Sequence, residues 1–302
     1  MKKILLALHG GPSADGAVHV AHLLRARTGA SIEAVAVLEP LPAFDYGYAP
    51  AYVPDPATED ELEDQLHADV ERQLVRCDLG GATLAVLRGP RASTILDRAR
   101  SCAADLIVLG LGPHHFMDRA LGGETALHLA QHASTPVLAV PPDARTLPHR
   151  ILVAVDFSPA SLAAARLAAS LLTGGDTLAL AHVGAAAQIG SIVMGPIKLS
   201  DAFHRVDEFA AELERPTGVL VTTDVLAGEP TRRLLDLAAE TKADAIALGS
   251  HGYSLWQRVL LGSVSSKVLR LARCSVLIYP ARCVVKTAPA QHAEALAGAA
   301  AT

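Results

Sequence analysis

Aromatic residues, cysteines and long apolar runs are all scarce in this chain. These scarcities limit the make-up of the core and argue against membrane spans, disulfides and zinc sites. Aromatics make up 4% of the 302 residues although 51% are hydrophobic, so the core must be built from Ala, Val, Leu and Ile. No uninterrupted apolar stretch reaches about 18 residues, the length that a membrane-spanning helix needs. The four cysteines show no CxxC spacing, which favours reduced thiols over disulfides or a zinc site. We therefore expect a cytoplasmic protein that does not enter a membrane.

Signatures of catalysis and of nucleic-acid binding are missing as well. The sequence contains neither GxxxxGK[ST], the phosphate loop of many ATPases, nor HExxH, the zinc motif of metalloproteases. It has no paired carboxylates and no nucleophile–base arrangement at a suitable spacing. The net charge of −5 opposes binding to a nucleic-acid backbone. We therefore predict no catalytic residues and no nucleic-acid partner.

The chain does contain an internal repeat. Residues 105–141 align without gaps to residues 244–280, and the alignment pairs Asp105 with Asp244 and Gly110 with Gly249. This alignment has an offset of 139 residues (244 − 105). Near the starts of the copies, the apolar run that begins at Ile4 matches the run that begins at Ile151, at an offset of 147 residues (151 − 4). The first copy therefore carries about eight extra residues between these segments. A duplication of this length sets the number of domains at two.

The repeat also sets the predicted boundaries. We place the first domain at residues 1–141 and the second at residues 149–280. The proline-bearing stretch 141–149 is the predicted linker, and residues 281–302, which are rich in alanine, are predicted to form a flexible tail.

Short apolar runs alternate with helical patterns in each copy. In the second copy the runs are 150–156, 176–183, 218–226, 244–249 and 275–279, and the helical stretches are 159–173, 199–214, 229–241 and 263–272. Continuous apolar strands that alternate with helices indicate a parallel sheet covered on both faces. Each copy is therefore predicted to be a doubly wound five-stranded α/β domain.

The most informative segment is residues 249–266, which read GSHGYSLWQRVLLGSVSS. Gly249 ends an apolar run, Gly252 and Gly262 follow, and a series of serines then opens a helical pattern at Ser263. Glycines let main-chain N–H groups approach an anion, and a helix N-terminus adds free donors and partial positive charge. The segment is therefore a candidate phosphate cradle, and an ordinary glycine-rich connection between strand and helix is the alternative.

The spacing Gly249-x2-Gly252-x9-Gly262-Ser263, together with the Asp-Phe-Ser-Pro stretch that begins at Asp156, resembles the universal stress protein family. The resemblance covers residues 1–280, as a tandem two-domain member. It implies a Rossmann-like fold of the adenine nucleotide alpha hydrolase kind, with strand order 3-2-1-4-5 in each domain. It also implies ATP at the switch point between the first and fourth strands, where open α/β sheets hold ligands.

The resemblance further implies a role for each matching position of the second copy. Adenosine would face Asp156 and the main chain near Ala154, and adenine would meet the main chain of Val183. The remaining positions would hold the ribose and phosphates: Gly249, His251 and Gly252 for the ribose and α-phosphate, then Gly262, Ser263, Val264 and Ser265, through N–H and hydroxyl groups, for the β- and γ-phosphates. Mg²⁺ would be coordinated by the phosphates rather than by a set of protein ligands.

The function implied is a cytoplasmic stress-response regulator that binds ATP and hydrolyses it slowly or not at all. The protein would form a homo-oligomer, most simply a homodimer, and the sequence leaves open whether it also binds another protein.

The first copy departs from this pattern at several positions. His9 stands at the place of Asp156, Pro113 replaces Gly252, and Glu124 replaces Ser263. A carboxylate about 4 Å from a phosphate charge repels it by roughly 4 kcal/mol at an effective dielectric constant near 20. We therefore predict that the first domain does not bind ATP in the same way.

Histidines are concentrated in that first copy. They are His9, His19, His22, His67, His114, His115, His128 and His132. A metal or small-ligand pocket built from them would make the chain a non-nucleotide interaction module, which is the alternative function. Ordinary surface and helix histidines are the simpler explanation.

Overall fold

The computed structural model describes residues 1–40, 56–111, 123–184, 187–189, 192–194, 199–250 and 261–283. Most of the tail predicted from the sequence therefore lies outside the described residues. The chain divides into two compact units. The first unit contains residues 1–129 and 137–147, and the second contains residues 130–136 and the chain from 148 onward.

The first unit alternates strands and helices along the chain. Its strands are β1 (Lys3–Leu8), β2 (Ser31–Leu38), β3 (Thr83–Arg88), β4 (Leu106–Gly110) and β5 (Val137–Val140). Its helices are α1 (Asp15–Thr28), preceded by a 3-10 turn over Pro12–Ala14, α2 (Pro56–Arg76), α3 (Arg91–Ser101) and α4 (Gly123–His132).

The second unit repeats this order in its main strands and helices. Its main strands are β6 (Arg150–Ala154), β7 (Thr177–Gly184), β10 (Leu220–Ala227), β11 (Ala245–Gly249) and β12 (Ser275–Tyr279). Its helices are α5 (Pro159–Ser170), α6 (Leu199–Glu212), α7 (Pro230–Glu240) and α8 (Ser263–Leu271). Its described residues also include an antiparallel pair, β8 (Ala187–Ile189) with β9 (Ile192–Met194), which the sequence did not predict.

Within each unit the five main strands are parallel and follow the order 3-2-1-4-5. In the first unit the order is β3-β2-β1-β4-β5, and in the second it is β10-β7-β6-β11-β12. The strand order therefore confirms the doubly wound fold. It reverses between β1 and β4 and between β6 and β11, so these are the two switch points. Right-handed crossovers place α5 and α6 on one face of the second sheet and α7 and α8 on the other.

The cores contain the small aliphatic residues that the composition predicts. In β6, Ile151, Leu152 and Val153 are all buried. Helix α5 turns a face of buried alanines, among them Ala164 and Ala168, toward the sheet and packs on β11 and β12. Because alanine side chains are short, they let this helix lie close to the strands.

The repeated aspartates have a structural role at the amino ends of the strands. The Asp244 carboxylate accepts the main-chain N–H groups of His149 and Arg150 at 3.0 and 2.9 Å. In the first unit, Asp105 accepts those of Lys2 and Lys3 in the same manner. Each aspartate therefore fixes the start of its unit's first strand, on the edge opposite the switch point's ligand side.

No helix in the described part of the chain combines the length and the apolarity that crossing a membrane requires.

Candidate functional site

The turn that follows β6 places Asp156 at the carboxyl edge of the second sheet. One carboxylate oxygen, Oδ1, accepts the main-chain N–H of Ser158 at 2.9 Å. The Ser158 hydroxyl then caps α5 by accepting the N–H of Ser161 at 3.2 Å. Asp156 is exposed, so its carboxylate faces solvent while the turn holds it in place. A fixed, exposed carboxylate can accept hydrogen bonds from hydroxyl or amino groups of a ligand.

The next residue, Phe157, has the left-handed backbone conformation, with φ of +62°. A residue with a Cβ atom adopts this conformation at a cost of about 1–2 kcal/mol. The equivalent residue of the first unit is Gly10, with φ of +77°, which has no such cost. The second unit therefore keeps an aromatic side chain at a position where the same turn elsewhere in the molecule uses glycine.

Two side chains of the described residues stack on the Phe157 ring. The guanidinium carbon of Arg205, from α6, lies 3.9 Å from the ring centroid. The ring of His182, from β7, lies 5.0 Å away centroid to centroid and is tilted by 39°. The Nδ1 atom of His182 is 2.7 Å from the carbonyl oxygen of Val155, which can only accept, so Nδ1 carries a proton. These contacts join the ends of β6 and β7 to α6.

Gly249 ends β11 directly beneath the start of α5. A Cβ atom at this position would lie 2.8 Å from the main-chain nitrogen of Ser161, closer than such atoms approach. Gly110 of the first unit has the same environment, with the carbonyl oxygen of Ser13 at 2.7 Å from the same hypothetical atom. The structure thus gives Gly249 a packing role, which its predicted role near the ribose did not include.

The start of helix α8 is fastened to the end of β11. The Gly262 N–H donates to the carbonyl oxygen of Ser250 at 2.7 Å. Ser250 is buried, and its own N–H donates to Tyr279 in β12 at 2.9 Å. Gly262 is the N-cap residue, and no side chain in the described ranges caps the helix. The first main-chain N–H groups, those of Ser263, Val264 and Ser265, therefore form a fixed set of donors at the switch point.

The hydroxyl of Ser265 does not fit its predicted contact with phosphate. It donates to the carbonyl oxygen of Gly249 at 2.7 Å, and the residue is buried. A hydroxyl has one proton, so it cannot also donate to a phosphate. What Ser265 offers a ligand is its main-chain N–H. The exposed hydroxyl of Ser263 has no such competing bond among the contacts of the described residues.

The other predicted positions divide into two groups. Ala154 ends β6 and pairs with Ala181, and Val183 is the last residue but one of β7, so both lie at the same edge as Asp156. Gly249, Gly262 and Ser265 are joined to that edge by the contacts above. His251 and Gly252 lie outside the described residues. Phe157, His182 and Arg205 were not predicted, although aligning Gly10 with Phe157 could have singled out the turn.

The first unit replaces the carboxylate of this turn by an imidazole. The Gly11 N–H donates to Nδ1 of His9 at 3.1 Å, and Nε2 is 2.9 Å from the Ser13 hydroxyl oxygen. Loss of water around the ring lowers the pKa of His9, even though the residue as a whole is exposed. The neutral ring must then carry its proton on Nε2 and donate it to Ser13. The direction of this hydrogen bond is opposite to that in a catalytic serine–histidine pair, where the serine hydroxyl donates to the histidine.

The histidines of the first unit do not assemble into a metal site where the structure describes them. Within the described ranges, no three His, Cys, Asp or Glu side chains lie close enough together to hold a metal ion. His114 and His115 lie outside those ranges, as do Pro113 and the side chain of Glu124.

Known proteins resemble this chain over both repeats. The model of the Universal stress protein family matches residues 1–141 and 148–280. A universal stress protein of Mycolicibacterium smegmatis is 30% identical over 234 residues, which are 72% of this chain and 76% of that protein. One from Methanocaldococcus jannaschii is 36% identical over 78 residues, 26% of this chain and 44% of its own. One from Mycobacterium tuberculosis H37Rv is 28% identical, and the match spans 61% of its length.

A solved structure has the same fold across nearly the whole chain. The crystal structure of a universal stress protein from Archaeoglobus fulgidus superposes with a TM-score of 0.67 at 19% sequence identity. The superposition covers 92% of this chain and 96% of that one.

Proposed function

Because the chain belongs to the universal stress protein family, as a tandem two-domain member, we propose that its second unit binds ATP and that the protein acts as a regulatory module in the stress response. The observation that carries this proposal is the start of α8. Three main-chain N–H groups without a side-chain cap in the described ranges are held at the switch point by bonds to Ser250 and Gly249. Such donors favour a polyphosphate, because they are already oriented before it binds.

The proposal assigns the ligand's parts along the carboxyl edge of the sheet. The β- and γ-phosphates meet Gly262 and the N–H groups of Ser263, Val264 and Ser265, together with the Ser263 hydroxyl. The adenosine lies toward Asp156, the main chain near Ala154, and the main chain of Val183. His251 and Gly252 belong to the proposed ribose and α-phosphate contacts through the family resemblance.

The resemblance extends the proposal to features that the described residues do not address. Mg²⁺ accompanies the phosphates, hydrolysis is slow, and the protein is a cytoplasmic homodimer. The repeats 1–141 and 149–280 are the two domains, and the first does not bind ATP.

The amount of bound nucleotide tests the proposal directly. We expect purified protein, saturated with ATP and freed of excess ligand, to release about one adenine nucleotide per chain when it is denatured and analysed by chromatography. Two nucleotides per chain would contradict the assignment of the first unit, and none would contradict ATP binding itself.

A substitution at the helix start tests where the phosphates lie. Ser263→Glu places the carboxylate of the first copy into the second, and repulsion of roughly 4 kcal/mol at 4 Å should weaken ATP binding by at least about tenfold in calorimetry. Ser263→Gln, which has the same shape without the charge, is the matched control and should bind several times more tightly than the glutamate variant. Equal affinity of the wild type and Ser263→Glu would place the phosphates elsewhere.

A further inference from the structure

Among the described residues at the second unit's switch point, Phe157 is the one non-glycine residue with a left-handed backbone conformation. Its φ of +62° matches the +77° of Gly10 in the equivalent turn of the first unit. The turn itself therefore does not need a side chain at this position. Non-glycine residues held in this conformation are concentrated at functional sites, which makes the aromatic ring a candidate ligand contact.

The ring lies where the base of a nucleotide would reach. Phe157 directly follows Asp156, and its neighbour His182 directly precedes Val183, so the ring stands between the two strand ends proposed to face adenosine. The phosphate donors of α8 lie at β11, on the other side of β6 in the strand order. A ligand that spans this edge from α8 toward β7 would bring its base to Phe157.

His182 and Arg205 both stack on the ring, but within the described residues only His182 is also held by a hydrogen bond. His182 is held by its bond to the Val155 carbonyl at 2.7 Å. Arg205 is exposed, and its guanidinium stacks on Phe157 at 3.9 Å without a hydrogen bond or ion pair to another of the described residues. The guanidinium is planar, as a purine is, and covers an aromatic ring on which a base could stack. Stacking of a base on an aromatic side chain is generally stronger than an exposed cation–π contact.

We propose that Phe157 is the stacking platform for the nucleobase and that Arg205 occupies the place of the base until the ligand arrives. Base and guanidinium exchange on the same ring, so Arg205 competes with the nucleoside part of the ligand. This inference rests on the proposed nucleotide site of the second unit and adds two recognition residues to it.

The stacking role of Phe157 is tested by comparing an aromatic substitution with an aliphatic one of similar size. The probe is adenosine, which lacks phosphates and so reports on the base end alone. Phe157→Tyr should keep the wild-type affinity within about twofold, whereas Phe157→Leu, which is apolar and still fills space, should bind about tenfold more weakly. Retained affinity for tripolyphosphate would verify that the leucine variant is folded. If the leucine and tyrosine variants bind adenosine equally well, the ring is only structural and the inference is wrong.

The competition between Arg205 and the base is tested by whether replacing Arg205 raises or lowers adenosine affinity. Arg205→Ala should raise adenosine affinity about two- to fivefold, because the base no longer competes with the guanidinium. Arg205→Lys preserves a cation, so its adenosine affinity should lie between those of the wild type and Arg205→Ala. Arg232→Ala, at an exposed arginine of α7, is the control and should leave adenosine affinity unchanged. Weaker adenosine binding by Arg205→Ala would show that the arginine contacts the ligand instead and would overturn the exchange.

The two proposals fail in distinguishable ways. If the wild-type protein binds no ATP, the proposed function is wrong. Wild-type protein that binds ATP, but whose adenosine affinity is unaffected by Phe157→Leu and Arg205→Ala, leaves that function standing and refutes the platform.

Discussion

At the scale of single residues, the two copies keep the same side chains where the fold needs them and differ where a ligand would be met. Gly110 and Gly249 are both required because a helix start rests on the end of a strand. The turn residues differ: His9 against Asp156, and Gly10 against Phe157, with hydrogen bonds of the same form closing both turns. The repeated glycines could be predicted from the sequence alone, but their packing role could not, because it depends on a contact between segments distant in the chain.

The paired glycines offer a residue-scale prediction. Gly249→Ala and Gly110→Ala should each lower the free energy of unfolding by about 1–3 kcal/mol, because the new Cβ would press on main-chain atoms at the start of α5 and in the 3-10 turn before α1, respectively. Only Gly249→Ala should also weaken ATP binding, since it displaces the strand end to which Ser265 is bonded. Denaturant unfolding and calorimetry on both variants check this, and equal loss of ATP affinity in the two would contradict it.

At the scale of helices and strands, apolar runs were enough to predict the main elements of the second unit to within a few residues. The strand predicted at 275–279 is observed at Ser275–Tyr279, and the helix predicted at 159–173 is observed at Pro159–Ser170. The sequence did not predict β8 and β9, because strands of three residues are too short to show a period. The occupied hydroxyl of Ser265 was missed for a similar reason, since its acceptor belongs to another element.

The joint between β6 and β7 gives a prediction about pH. Asp176 is buried and accepts hydrogen bonds from His149 Nδ1 at 2.7 Å and from the Thr173 N–H at 2.7 Å. Burial alone would raise the pKa of Asp176, but the bonds from Thr173 and His149 outweigh it and lower the pKa. A carboxyl whose pKa is lower in the folded state stabilises the fold above its unfolded pKa, and loses that contribution as pH falls through the folded pKa.

Asp176→Asn should therefore destabilise the second unit by about 1–3 kcal/mol at neutral pH, and the difference from wild type should shrink in acid. Urea unfolding followed by the fluorescence of Trp256, the chain's single tryptophan, would measure this in the second half of the sequence. Glu240→Gln, at the exposed end of α7, is the control expected to show neither effect. A difference that stays constant down to acid pH would contradict the role given to the carboxylate.

At the scale of the whole molecule, two units with one strand order carry different chemistry at their switch points. The fold class and the strand order were both predicted, the latter from the family resemblance, and both are confirmed. The chemistry was predictable only in part. Residue types at Asp156 and Ser263 pointed to a nucleotide, whereas the contacts of Phe157 with His182 and Arg205 depend on how three elements meet.

If only the second unit binds nucleotide, ATP should protect the chain unevenly. At about one hundred times its dissociation constant, a ligand stabilises the state that binds it by about 2.7 kcal/mol. Amides of β6, β11 and α8 that exchange through unfolding of their unit should then exchange up to about a hundredfold more slowly, while those of β1, β4 and α4 should be unchanged. Hydrogen exchange read by mass spectrometry makes the comparison within one sample. Equal slowing in both units would contradict the assignment.

The bond between the Gly262 N–H and the Ser250 carbonyl has a consequence for how this protein could change over generations. Both partners are main-chain atoms, so the bond uses neither side chain, and proline at 262 would remove the donor. Because the bond uses no side chain of the segment between them, substitutions there do not remove it. Ligand contacts made by that segment can therefore diverge while the proposed phosphate donors of α8 keep their place.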